Sequence, residues 1–309
     1  MKVAIIGAGA MGGVYGFFLA RGGHDVVLVD VWKEHVDAIN RSGLEMEEGG
    51  VSHVARVKAT VDAGGAGGAD LVLIFVKSYH TAAAAEAAKQ IAGPGTLVLT
   101  LQNGLGNAET IAEAVGDERA ACGINAHGAT LLGPGRVSHR GTGETLFGPW
   151  NEKVTPQIER VAEAFVEAGL PARVTANPVG AVWGKVMVNV GINALTAILQ
   201  VPNGALLEYP WSRSLMSAAV KEAAAVAARK GVDLPYEDPV EHCESIAKAT
   251  GSNRSSMLQD VLGRRRTEVD FINGAVVREG AALGIATPVN SVLTDMVRTI
   301  EASYAVRVD

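Results

Sequence analysis

The run Gly7-Ala8-Gly9-Ala10-Met11-Gly12 constrains this chain more than any other feature. It fits G-x-G-x-x-G, directly follows the apolar run 3–6, and opens the helical pattern 11–21. A strand that turns through glycines into a helix is the phosphate-binding corner of a dinucleotide fold. Gly7 permits the tight turn, Gly9 lets a pyrophosphate approach the backbone, and Gly12 lets helix and strand pack closely. The helix start at Ala10 and Met11 offers N–H groups and partial positive charge to the phosphates. Asp30 ends the next apolar run, 26–29. A carboxylate there accepts hydrogen bonds from the ribose hydroxyls of NAD and repels a 2′-phosphate. NADH is therefore expected over NADPH. No arginine adjoins Asp30; the nearest cation, Lys33, serves a phosphate only if its loop folds back.

Further apolar runs at 71–76 and 97–101 suit strands buried on both faces of a parallel sheet, and helical stretches such as 81–91 lie between the runs. Strand and helix in alternation is the α/β pattern. Segment 128–148 departs from it, being rich in Gly and Thr with Gly133-Pro134-Gly135 as a turn, and reads as an antiparallel extension of the sheet. The stretch 64–68 reads as a flexible glycine turn. From Asn177-Pro178, a helix start, the patterns are helical. The fold class is thus an N-terminal Rossmann-type parallel sheet with an antiparallel extension, followed by an all-α domain. The boundary separates 1–176 from 177–309.

A formal charge of −6 gives no electrostatic reason to expect nucleic acid or an acidic membrane as a partner. The basic run Arg264-Arg265-Arg266 reads as a solvated face. Cys122 and Cys243 form no disulfide framework or metal spacing and read as buried structural thiols. The seven histidines show no metal spacing either, so no metal is expected. No signal peptide precedes the glycine turn and no stretch reads as long and apolar enough to span a bilayer, so the expected location is cytoplasmic.

Several polar residues stand where chemistry is expected. Lys77 and Asn103 each follow an apolar strand run, where ligands bind in doubly wound sheets, although Asn103-Gly104 is also a common turn pair. Lys185, Asn189 and Asn193 recur every four residues on an apolar helical segment, forming one stripe. Such groups need partners, either in a ligand cleft or in a buried structural network. Glu268 stands at a helix start, where an acid can simply complement the dipole.

Taken together, these pieces resemble the ketopantoate reductase family over essentially the whole chain. The resemblance rests on the glycine motif, Val76-Lys77, Gln102-Asn103-Gly104-Leu105-Gly106, Trp183-Gly184-Lys185 with Asn189 and Asn193, Pro202-Asn203-Gly204, Ser255-Ser256-Met257-Leu258-Gln259-Asp260, and Thr267-Glu268-Val269-Asp270. It implies a 6-phosphogluconate dehydrogenase-like pair of domains with the active site in the cleft between them. It also implies hydride transfer from NAD(P)H to the C2 carbonyl of 2-dehydropantoate. By that resemblance Lys185 is the general acid, and Glu268 holds the substrate hydroxyl and orients the lysine. Asn103, Asn189, Asn193 and Ser256 position the substrate, Asn203 belongs to the same cleft, and Lys77 and Asn103 lie near the cofactor. Asp30-Val31-Trp32 departs from the family, whose well-known members carry an arginine there for the phosphate of NADPH.

A related NAD-dependent dehydrogenase for another 2-oxo or 3-hydroxy acid is the alternative reading. A non-catalytic nucleotide sensor is a third, disfavoured by the presence of both Lys185 and Glu268. The expected partner is a small 2-oxo acid, with a homodimer left open.

Overall fold

The protein is described from a computed structural model covering residues 1–307. The first half runs β1 (Lys2–Ile6), α1 (Ala10–Arg21), β2 (Asp25–Val29), α2 (Lys33–Ser42), β3 (Leu44–Glu48), β4 (Val51–Ala55) and β5 (Lys58–Thr60). It continues through β6 (Ala69–Ile74), α3 (Thr81–Ile91), β7 (Ala92–Thr100), α4 (Asn107–Val115) and β8 (Ala120–Asn125). Then come β9 (Gly128–Gly133), β10 (Arg136–Gly141), β11 (Thr145–Pro149), α5 (Pro156–Glu167) and β12 (Ala172–Val174). The helical half comprises α6 (Pro178–Leu199), α7 (Ala205–Glu208), α8 (Pro210–Lys230), α9 (Pro239–Ala249), α10 (Ser256–Leu262), α11 (Asn273–Leu283) and α12 (Pro288–Ala302). These elements form two compact units. One holds Met1–Gln102 and Asn107–Val179, the other Asn103–Gly106 and the described residues from Gly180 onward.

The main sheet of the first unit has the order β12-β11-β8-β7-β6-β1-β2-β5. The strands from β5 to β8 in that order are mutually parallel. Because side chains alternate across a strand, β1 feeds two cores. Val3 and Ile5 pack with Val14 and Phe17 of α1 and with Phe165 of α5. Ala4 and Ile6 pack with Ala84 and Ala88 of α3 and Ile111 of α4. The chain adds β2 and β5 on one side of β1 and β6 to β8 on the other, so the turn after β1 lies at the point where the winding reverses. Ligands bind at such points in open α/β sheets.

The antiparallel extension takes two forms. β11 extends the main sheet, antiparallel to β8. The hairpin β9–β10 instead builds a second sheet, β4-β3-β10-β9. It does so because Met46 of β3 and Val137 of β10, register partners, both enter the core under α1. Stretch 64–68 is also more ordered than a flexible turn. Ala63–Ala66 forms a 3-10 turn in which Asp62 Oδ1 accepts from Gly64 N.

In the second unit α8 packs against α7, α9, α11 and α12. At Gly191, α6 comes so close to its neighbours that a Cβ would lie 2.6 Å from Cys243 Sγ and 2.8 Å from Val220. The expectation about bilayer-length stretches needs correction. Helix α6, with 22 residues, is long and apolar enough by length and composition, but two-thirds of that window is buried inside the protein. It is a core helix carrying a polar stripe. Both cysteines are free and buried, and burial pushes each thiol up to about 12. Arg265 and Arg266 pair with Asp260 and Asp270 of their own chain.

Candidate active site

The glycine turn is shaped by the packing around it. Gly7 has φ +92°, and a Cβ there would lie 2.7 Å from Val76 N. At Gly12 a Cβ would fall onto the Gly7 carbonyl oxygen, so the start of α1 sits against the turn. Gly9 differs: a Cβ there would meet no atom within 4 Å. No side chain caps α1, whose N-cap is Gly9 itself. Open space before an uncapped helix N-terminus fits an anion such as a pyrophosphate. Ala10 and Met11, the first helical residues, are partly exposed there.

Asp30 is fixed from both oxygens. Its Oδ2 accepts from Ala8 N at 2.8 Å and its Oδ1 from Trp32 N at 2.9 Å. Each carboxylate oxygen has a further lone pair for a ribose hydroxyl. Lys33 does not fold back; its Nζ lies 2.6 Å from Asp37 on the exposed side of α2. Lys77 follows β6 and opens the 3-10 turn Ser78–His80, half-buried. That turn rests on a buried polar network that sequence reasoning passed over. Gln102 donates to the Val76 carbonyl and to Thr81 Oγ1, Thr81 donates to Asn107, and Asn107 donates to Ser78 Oγ. The adjacency of Gln102 to Asn103 was the available signal.

The remaining candidates belong to the second unit. Lys185, Asn189 and Asn193 lie along α6 at four-residue spacing. Burial pushes the Lys185 ammonium down to about 8, against the pull of the Glu268 carboxylate, which favours its charged form. Glu268 is itself buried and immediately precedes the 3-10 turn Val269–Phe271. Nδ2 of Asn189 is buried without a hydrogen-bond partner, and Asn193 is buried as well.

Asn103 sits on a loop tied to the Glu268 segment. Leu105 N donates to the Phe271 carbonyl at 2.8 Å. Gly104, with φ +89°, lets that approach happen, since a Cβ would meet the same carbonyl oxygen. The two serines before and at the start of α10 behave differently. Ser255 is buried, caps Leu258 N and bonds Thr196 of α6, while Ser256 is exposed. Asn203 is buried. Its N–H donates to the Asn253 carbonyl and its Nδ2 to Thr250, while Oδ1 has no partner. Among the described residues no cluster of three metal-ligating side chains occurs.

A half-buried lysine within electrostatic reach of a buried carboxylate can keep a transferable proton near neutral pH. Asn189 and Asn193 follow it along the same helix. Such a set suits protonation of a carbonyl oxygen and hydrogen bonding to a small polar acid.

Comparison with known proteins places this arrangement. Residues 3–152 match the family model described as "Ketopantoate reductase PanE/ApbA", and residues 177–301 match its C-terminal counterpart. The chain is similar to the 2-dehydropantoate 2-reductase of Halobacterium salinarum, 42% identical over 96% of this chain and 98% of the other. It resembles the crystal structure of a PanE/ApbA family ketopantoate reductase from Ralstonia eutropha, with TM-score 0.91, 40% identity, and coverage of 98% and 99%. It also resembles D-mandelate dehydrogenase solved with NADH and anilino(oxo)acetate, with TM-score 0.93, 32% identity, and coverage of 99% and 100%.

Proposed function

The chain belongs to the ketopantoate reductase family of NAD(P)H-dependent oxidoreductases, and on that premise we propose that it reduces 2-dehydropantoate to pantoate with NADH as the preferred donor. The observation that carries this reading is the placement of Lys185, half-buried on α6 with Asn189 and Asn193, within electrostatic reach of the buried Glu268 carboxylate. The reduced nicotinamide, when bound, supplies the hydride for C2. Lys185 holds a proton at Nζ, donates a hydrogen bond to the ketone oxygen, and releases that proton as negative charge develops there. The products are an alcohol, the oxidised nicotinamide and a neutral lysine, which regains its proton from solvent.

Glu268 orients the ammonium and accepts from the substrate hydroxyl. Asn103, Asn189, Asn193 and Ser256 position the substrate and its carboxylate, with Asn203 supporting the same region. The Asn189 Nδ2 donor, buried without a protein partner, favours a ligand contact over a purely structural network. Glycines 7, 9 and 12, with Ala10 and Met11, hold the pyrophosphate, and Lys77 lies beside the cofactor. Asp30 favours NADH, because Lys33 is paired with Asp37 and leaves the carboxylate to confront a 2′-phosphate. The burial of α6 supports a core helix rather than a membrane span, and a cytoplasmic enzyme is the location we propose.

A second reading is a dehydrogenase for another 2-oxo acid. It is favoured by the likeness to D-mandelate dehydrogenase, a structure that holds NADH. Initial rates with 2-dehydropantoate and a panel of aryl and alkyl 2-oxo acids, each with NADH and NADPH, decide between them. The highest kcat/KM is expected for 2-dehydropantoate with NADH. An aryl 2-oxo acid turning over faster selects the second reading, and a preference for NADPH removes Asp30 from its role.

A further inference from the structure

His35 lies in the first turn of α2 and is 1% exposed. Its Nδ1 is 3.0 Å from Gly135 N, and its Nε2 is 2.9 Å from the Ala8 carbonyl oxygen. A backbone N–H only donates, so Nδ1 is the unprotonated acceptor. Nε2 then carries the hydrogen and donates to Ala8 O. One neutral tautomer satisfies both contacts, whereas an imidazolium would set two donors against each other at Gly135.

The Ala8 residue is gripped at both ends. Its carbonyl is held by His35 and its N–H by Asp30 Oδ2. Asp30 Oδ1 in turn accepts from Trp32 N. The Trp32 indole stacks on the His35 imidazole, with ring centroids 5.4 Å apart and planes 9° apart. The circuit therefore closes on His35. In a trans peptide the C=O and the following N–H point in opposite directions. Fastening the Ala8 carbonyl to His35 therefore turns the Gly9 N–H away from His35. Gly9 is the residue whose Cβ direction is open.

We infer that His35 is a positioning residue for dinucleotide binding, holding the Ala8 peptide so that the Gly9 N–H and the Asp30 carboxylate are set for the cofactor's pyrophosphate and ribose. This rests on the dinucleotide reading of the glycine turn. His35 touches neither group of the cofactor; it acts through one peptide unit, and through Gly135 it ties that unit to the turn between β9 and β10.

The test compares His35→Leu, which has no donor, with His35→Gln, whose Nε2 still reaches Ala8. NADH affinity is read by nucleotide fluorescence titration, alongside KM for each substrate and kcat at saturation. His35→Leu removes both ring hydrogen bonds, and the loss of the one to the Ala8 carbonyl is expected to weaken NADH about tenfold, with kcat and KM for the 2-oxo acid nearly unchanged. His35→Gln should recover most of that loss. NADH affinity within twofold of wild type in His35→Leu overturns the inference. So does a parallel loss in all three parameters that His35→Gln does not rescue, because that pattern is a general structural defect. Should the leucine variant not fold, His35→Asn, too short to reach Ala8, takes its place. Asp30→Ala serves as the control: if it leaves NADH and NADPH kinetics as they were, the dinucleotide reading fails, whereas an effect of Asp30 with none of His35 fails this inference alone.

Discussion

Replacing Lys185 by methionine is expected to abolish turnover and stabilise the fold. Burial lowers the ammonium from 10.5 to about 8 even after the attraction of Glu268 is included. At about 1.4 kcal/mol per pH unit, the charged lysine costs the folded state about 3 kcal/mol. Lys185 keeps some exposed surface, so this is a ceiling. Methionine is unbranched, apolar and fills irregular gaps, so it removes the charge with little change in shape. At pH 7 the Lys185→Met variant should therefore be more stable by up to about 3 kcal/mol. The sign reverses nowhere, but the gap closes with pH. Between about 8 and 10.5 the folded lysine has lost its proton while the unfolded one retains it, so wild-type stability rises toward that of the variant. Urea unfolding of both proteins at pH 7 and pH 10 reads the gap, and kcat should fall by a factor of at least about 100. A variant less stable than wild type at pH 7, or a gap that does not change with pH, would refute the account of Lys185 as a desolvated cation.

Two further substitutions probe the supports. Gly104→Ala places a methyl against the Phe271 carbonyl at φ +89°; a loss of about 2–4 kcal/mol is expected, with reduced kcat because the Asn103 loop and the Glu268 turn separate. Unchanged melting and turnover would mean that the tether is dispensable. His127 is buried, and burial followed by the neighbouring His139 lowers its pKa to about 4. The folded ring stays neutral while the unfolded one charges at about 6.5, so up to about 3 kcal/mol of stability is lost as pH falls from 6.5 to 4. His127→Gln should flatten that part of the melting profile, and an equal acid loss in the variant would count against it.

The sequence made legible those features that depend on neighbours along the chain. The glycine turn is announced by a strand before it and a helix after it, and the α6 stripe by a spacing of four. The second sheet was not legible. Its β3 alternates Leu and Met with glutamates and finds its parallel partner β10 some ninety residues later. Gly49-Gly50, both at positive φ, was the local signal for the β3–β4 hairpin. His35 escaped notice for the same reason, since one of its partners, Gly135, is a hundred residues away. Adjacent serines pose a finer problem. Ser255 and Ser256 differ in burial and bonding only because α10 begins between them.

The two units carry their functional groups on different energetic terms. Around the glycine turn each strained or polar feature is supported. Gly7 bears the positive φ without a side chain, and Ala8, Asp30 and His35 satisfy one another in a closed circuit. Loosening that corner should lower stability and cofactor affinity together. In the second unit the proposed catalytic helix bears costs that protein contacts do not offset. The Lys185 charge is disfavoured by burial, and Asn189 Nδ2 is buried without a partner. Apolar replacement there should stabilise the fold while removing chemistry, the trade-off expected where a site is built for a ligand rather than for the fold. Opposite signs of stability change at His35 and Lys185, from comparable loss of one polar group, follow from that difference. A bare glycine turn and a bare polar helix do not by themselves specify either sign; the partners that the fold places around each group do.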